Sequence, residues 1–330
     1  MTVPVPWLEQ EMTALRAACR ADRMPHALLI HESAGAGGDW LATWVAQLVL
    51  CIHRERAPCG ACASCLRVAA GQHPDLLSIR PIEESRQIRI EQVRELAQDL
   101  ALTSHQGGYK VAVMSPADLL NRFAANALLK TLEEPSPRTV LVLVATQPSR
   151  LPATILSRCQ RVRVRAPSRS EAVVWLEATR GKADWNAVLD VLGESPMTAA
   201  ESDAAVVVQV GTEVQRGLDE SVAGTVDPVP TAERWSRTEL PLRLTCFENW
   251  LTKRIREHFG SASFLTEVGA VPYLPPSDTV LNIRALFELL DGVRDLKSAL
   301  ETPINRGLAL ESLLRRLAPR GQSEALSMAR

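Results

Sequence analysis

The sequence predicts an α/β domain built on a parallel sheet, followed by a region that is all helix. Three observations carry this expectation. Lys110–Met114 reads as a strand, and Thr139–Ala145 is an apolar run bounded by turn residues, the pattern of a strand buried on both faces. Stretches with helical periodicity separate the strand-like runs, and strands alternating with helices build parallel sheets covered by helices. Beyond Arg165-Ala166-Pro167 the strand-like runs cease, while apolar residues at three- and four-residue spacing continue.

Taken in order, residues 26–30 (His-Ala-Leu-Leu-Ile) read as a short buried strand, 33–38 as a glycine-rich turn and 40–50 as a helix. Strand, glycine loop, helix is the order of a phosphate-binding unit. A cysteine-rich insert follows at 51–65. Residues 92–102 place Val93, Leu96, Ala97 and Leu100 on one helical face. A helix over 121–133 stops at Glu134-Pro135-Ser136-Pro137, because a proline disfavours helical backbone in the residue before it.

Past residue 167, residues 170–180, 185–192 and 197 onward read as short helices. Asp227-Pro228-Val229-Pro230 reads as a loop. Longer helices are expected at 240–259 and 279–300, with a proline-rich break at 272–276. Leu286, Leu289, Leu290, Val293 and Leu296 form one stripe; Leu310, Leu313, Leu314 and Leu317 form the last. The expected division is an α/β domain at 1–166, a small helical domain at 167–206 and a helical C-terminal domain at 207–330.

Lys and Arg number 37 against 38 Asp and Glu, so the chain does not hold nucleic acid by bulk charge. Aromatic residues are 4%, too few for prominent stacking platforms. No apolar run reaches the length of a membrane span, and residues 1–10 lack the basic and apolar segments of a signal peptide. A cytoplasmic protein without a membrane partner is expected. In that compartment, cysteines serve as thiols or metal ligands rather than disulfides.

Cys59, Cys62 and Cys65 lie two intervening residues apart, and Cys51 precedes them by seven. Four thiolates complete a closed tetrahedral zinc site with no open position for a catalytic water, so a structural Zn²⁺ is expected. His53 is an alternative to Cys51 as the fourth ligand. Unrelated thiols in a loop would be the plainer explanation, but four cysteines within fifteen residues argue against it. Cys19, Cys159 and Cys246 are scattered and read as small buried side chains.

The glycine loop departs from a working phosphate loop, G-x-x-x-x-G-K-[ST]. In Glu32-Ser33-Ala34-Gly35-Ala36-Gly37-Gly38-Asp39, Glu32 stands at the first glycine position. Gly37 is retained, Gly38 replaces the lysine and Asp39 replaces the hydroxyl residue. The cation for the outer phosphates is gone, and the Asp39 carboxylate puts negative charge where a triphosphate would lie. The strand ending at Met114 is followed by Ser115 and Pro116, where an ATPase needs acidic residues for Mg²⁺ and water. Asp118 reads as a helix N-terminal residue instead. ATP hydrolysis by this chain is not expected.

Further motifs follow in series: Asn126-Ala127-Leu128-Leu129-Lys130-Thr131-Leu132-Glu133-Glu134-Pro135, Ala145-Thr146-Gln147-Pro148, and Leu151 to Ser157-Arg158-Cys159. This succession resembles the AAA+ clamp-loader family, and Ser157-Arg158-Cys159 resembles its SRC motif. The cysteines ahead of His73-Pro74-Asp75, Ile304-Asn305-Arg306 before the last helix, and the eroded glycine loop narrow the match. They resemble the delta-prime type of bacterial DNA polymerase III rather than the ATP-hydrolysing tau/gamma type. The specific motifs cover about the first half of the chain.

The resemblance implies a RecA-like AAA+ domain, a lid and a C-terminal collar in a hetero-oligomeric, five-subunit arc. It implies that Arg158 is an arginine finger acting on ATP held by the adjacent subunit. Thr146 then stands at the first sensor position, and Gly193-Glu194-Ser195-Pro196 where active members carry a second sensor arginine. The implied partners are the tau/gamma and delta subunits, the polymerase III holoenzyme (a DNA-directed DNA polymerase, that is, a nucleotidyltransferase), the sliding clamp and primer-template DNA. Two other readings are an active clamp-loader ATPase, opposed by Gly38 and Asp39, and a zinc nucleic-acid-binding module, opposed by the balanced charge.

Overall fold

The computed structural model describes residues 5–82, 87–262, 283–300, 302 and 304–318, with backbone alone at 259–262. The expected break at 272–276 and the start of the helix expected over 279–300 lie outside the described residues. The chain divides into two compact units, residues 1–181 with 194–200, and residues 182–193 with 201–330. Residues 167–206, expected as one small domain, are shared between the two units.

In chain order the first unit begins with α1 (Glu9–Arg20), β1 (Ala27–Glu32), α2 (Gly38–Leu50), α3 (Ala63–Ala69), β2 (Leu76–Ile79) and α4 (Ile90–Ala101). It continues with β3 (Lys110–Met114), α5 (Arg122–Glu133), β4 (Thr139–Ala145), α6 (Ala153–Leu156), β5 (Gln160–Val164) and α7 (Arg169–Arg180). The five strands form one parallel sheet in the order β2-β3-β4-β1-β5. All seven residues of β4 are buried, as the unbroken apolar run requires. β1 lies between β4 and β5, with Leu28 opposite both Val142 and Gln160. The loop after β1 therefore opens at the carboxyl edge of the sheet, where parallel α/β sheets bind ligands.

Helix boundaries follow side-chain capping. Asn121 Oδ1 accepts from the Ala124 amide at 2.8 Å and starts α5. Ser168 and Glu171 form a reciprocal capping box at α7. The core under α4 and α5 joins Val93, Leu96 and Leu100 to Leu128, Leu132, Leu141 and Leu143.

Between α7 and the second unit's long helices come α8 (Trp185–Leu192) and α9 (Pro196–Glu201). The second unit holds α8 with α10 (Ala204–Val222), α11 (Pro228–Arg237), α12 (Leu240–Ala262), α13 (Ile283–Ser298) and α14 (Arg306–Arg315). Both leucine stripes read from the sequence are buried in this unit's own core, around Trp235 and Phe247. The expected loop at 227–230 is instead a helix start. Asp227 Oδ1 accepts from the Val229 amide at 2.9 Å, and Pro228 takes the first helical position, where no amide is needed. Arg243 is buried against the Trp235 ring and pairs with Glu213 at 2.8 Å, which holds the Glu213 carboxyl below its ordinary range. Among the described residues no helix is long and apolar enough to cross a membrane.

Candidate functional site

The loop between β1 and α2 positions the first set of candidate residues. Gly35 and Gly37 lie at φ 71° and 112°, left-handed conformations that glycine adopts without a Cβ clash. These turns bring the first amides of α2, Gly37 and Gly38, to bear on a single acceptor. Such amides at a helix N-terminus make an anion site. Here the anion is the chain's own: Glu32 Oε2 accepts from the Gly37 amide at 2.9 Å and the Gly38 amide at 2.6 Å. Glu32 is buried, and that burial raises its carboxyl above the ordinary range; the Gly38 amide opposes the shift and the charge of Asp39 adds to it. The Asp39 carboxylate faces Arg80 at 3.6 Å on the surface instead. The carboxylate in the cradle thus belongs to Glu32, at the first glycine position, and not to Asp39.

Three further contacts hold this loop from outside. The Trp7 indole donates to the Ala36 carbonyl at 2.7 Å, the Ser195 hydroxyl to the Ala34 carbonyl at 3.0 Å, and the Met197 amide to the Gly35 carbonyl at 3.1 Å. The segment read as a second sensor position therefore packs on the glycine loop through Ser195, beside Pro196. A Cβ at Gly35 would lie 2.6 Å from Ser195 Cβ. None of Trp7, Ser195 and Met197 was assigned to the loop from sequence. Nothing in a linear pattern pairs positions 29 or 161 residues apart. Glu32→Ala is expected to lower stability by about 1 kcal/mol, the usual loss for a helix N-terminal acceptor, because the cost of burying the charge offsets part of its hydrogen bonding. Glu32→Gln, which keeps an acceptor oxygen, stays closer to the parent. Thermal unfolding of the three proteins side by side checks the order.

At the end of β3 stand Ser115 and Pro116, the positions where an ATPase needs acidic residues. Ser115 is buried and its amide donates to the Ile79 carbonyl at 3.1 Å; Pro116 has no ionisable group. Asp118 stands in the first turn of a 3-10 segment, Ala117–Leu119, and accepts from the Thr146 hydroxyl at 3.3 Å. The two positions noted separately in the sequence meet as one pair.

The Ser157-Arg158-Cys159 triplet connects α6 to β5. Cys159 is buried in the sheet core, which pushes its thiol up to about 11. Ser157 Oγ bonds back to the Thr154 carbonyl at 3.1 Å. Between these two fixed neighbours Arg158 reaches the surface. Its guanidinium donates to the Thr154 carbonyl at 3.0 Å and pairs with Glu133 Oε1 at 2.6 Å. Glu133 is the last residue of α5.

The four expected cysteine ligands come together. Sγ atoms of Cys51, Cys59, Cys62 and Cys65 lie within 4.8 Å of one another, and these residues could hold a metal ion. The Cys51–Cys62 and Cys59–Cys65 separations are both 4.0 Å. A tetrahedral metal with sulfur at about 2.3 Å sets its ligands ~3.8 Å apart, whereas a disulfide needs about 2.0 Å. The Cys62 amide donates to Cys59 Sγ at 3.3 Å and the Cys65 amide to Cys62 Sγ at 3.4 Å. Amide bonds from Ala61 and Cys62 lower the Cys59 thiol to about 6, while burial raises Cys51 and Cys65. His53 is not part of the cluster; its carbonyl, 3.7 Å from Cys51 Sγ, faces it instead. Gln47 and Leu50 of α2 tie the module down, through Gln47 Nε2 to the Cys65 carbonyl at 3.1 Å and Ser64 Oγ to the Leu50 carbonyl at 2.6 Å.

Comparison with known proteins bears on this geometry. A family model described as DNA polymerase III, delta subunit, matches residues 7–168. DNA polymerase III subunit delta' of Pseudomonas aeruginosa is 35% identical over 297 residues, covering 88% of this chain and 90% of that one. The Escherichia coli subunit of the same name is 31% identical over 323 residues, 94% of each chain. The crystal structure of a DNA polymerase III gamma subunit-related protein from Thermotoga maritima superposes with a TM-score of 0.53 at 18% identity. It covers 94% of this chain and 99% of that one, a likeness of fold.

Proposed function

Because this chain belongs to the DNA polymerase III delta-prime subunit family, we propose that it serves in the clamp loader without hydrolysing ATP itself, supplying Arg158 to a neighbouring subunit's ATP site. The observation that carries the first half is the Glu32 carboxylate seated on the Gly37 and Gly38 amides. A phosphate would have to displace it. Restoring a lysine at position 38 meets the same obstacle, since a Cβ there would lie 2.6 Å from the Glu32 carboxyl carbon and 2.9 Å from Val144.

The second half rests on the outward Arg158 in an otherwise fixed triplet. A planar guanidinium delivered from one subunit to another stabilises charge on the transferring phosphoryl group. Ser157 and Cys159 set its direction, and Thr146, paired with Asp118, is structural. The assembly we propose joins this chain to the tau/gamma ATPase subunits and the delta subunit within the cytoplasmic polymerase III holoenzyme. There the complex places the sliding clamp on primer-template DNA. In that assembly residues 1–166 serve as the nucleotide-binding-like domain, 167–206, although divided between the two compact units, as the lid, and 207–330 as the collar. The four cysteines hold a structural Zn²⁺, whose role is to fix the 51–65 module.

Calorimetric titration of the purified chain with Mg-ATP tests the non-hydrolysing role. No saturable binding and no phosphate release are expected. Micromolar affinity with Mg²⁺-dependent turnover would establish an active ATPase instead.

A further inference from the structure

Glu133 occupies a position where a carboxylate does little for its own helix. It ends α5, where the aligned peptide dipoles leave partial negative charge and favour a cation. Its side chain is half exposed, so no burial requirement fixes it there. What it does is hold Arg158. The guanidinium lies 2.6 Å from Glu133 Oε1, with a second bond to the Thr154 carbonyl at 3.0 Å and a longer approach to Ser157 Oγ at 3.4 Å. These acceptors keep the donors of Arg158 on this chain's own surface.

Carboxylate and phosphate oxygens compete for the same planar fork of donors. We propose that Glu133 is the positioning residue for Arg158: it parks the guanidinium in cis until a phosphoryl group on the adjoining subunit takes the carboxylate's place. This rests on the arginine-finger reading above and adds the element that sets when the finger engages. The pair is well suited to that use. An exposed ion pair shifts an equilibrium by at most about fivefold, enough to bias Arg158 toward the parked state and little enough for a phosphoryl group to reverse.

The test is steady-state ATPase of the reconstituted clamp loader carrying Glu133→Gln, Arg158→Ala or both. Glutamine keeps the shape and removes the charge. In the absence of clamp and primer-template DNA, E133Q is expected to raise turnover at the one site that receives Arg158 by about two- to fivefold, seen as a smaller rise in kcat of the whole complex, with KM for ATP unchanged. The increase should shrink in high salt, which screens the parent's ion pair. In the Arg158→Ala background E133Q should have no further effect. An E133Q rate equal to or below the parent, beside an Arg158→Ala rate that falls, overturns the parking role and leaves the finger. An Arg158→Ala rate equal to the parent overturns both.

Discussion

Arg158→Ala is expected to reduce ATP turnover by about 10³-fold or more at the one site proposed to receive this side chain, the scale on which arginine fingers act. The variant should fold and assemble normally. Arg158 is partly exposed, and its contacts are one surface ion pair and bonds to Thr154 and Ser157, interactions of small net worth. Cys159, which does anchor the triplet in the core, is untouched. On the proposed role, ATP sites that take their arginine from other subunits should keep turning over, so the complex should lose one site's share of its rate. Single-turnover hydrolysis in the reconstituted complex separates that share from the rest. Lysine should not restore it, because an ammonium cannot reproduce the planar, two-donor approach. A parent-like rate in the alanine variant would remove the finger role.

The second large effect concerns the cysteine module. Structural zinc sites contribute about 10–16 kcal/mol of binding free energy to the folds that depend on them. Chelation, or replacement of Cys62 and Cys65 by serine, should therefore release the 51–69 segment and the C-terminal turn of α2 to which Gln47 and Leu50 tie it. Hydrogen exchange should report loss of protection there while β4 and α5 stay protected. Metal analysis should find one zinc per chain in the parent, with affinity falling in acid as protons compete for the thiolates. A metal-free parent with the segment still protected would show that amide-to-sulfur bonds suffice.

Much of the site could be read from residue order, and the reasons for the gaps are physical. β3 and β4 were legible because central strands are buried on both faces and show as unbroken apolar runs. β2 has only four residues, and β5, at the opposite edge, alternates Val162 and Val164 with exposed Arg161 and Arg163. Edge strands need so little apolar surface that neither stood out. The cysteine cluster was legible because its ligands are close in sequence. The occupant of the phosphate cradle was not. Asp39 looked like the obstructing charge, whereas the backbone turns at Gly35 and Gly37 bring Glu32 onto the amides. Glu133 was visible as part of a motif, but its pairing with a residue twenty-five positions later depends on how α5 and α6 end.

The glycine loop is bound on both its amide and its carbonyl sides, by Glu32 within and by Trp7, Ser195 and Met197 from elsewhere in the same unit. Here any shift large enough to admit a triphosphate would have to displace Glu32 and break bonds to two separated stretches of chain, Trp7 and residues 195–197, at once. On the clamp-loader role proposed above, the subunit should consequently present one unchanging surface to its neighbours whatever the ratio of ATP to ADP.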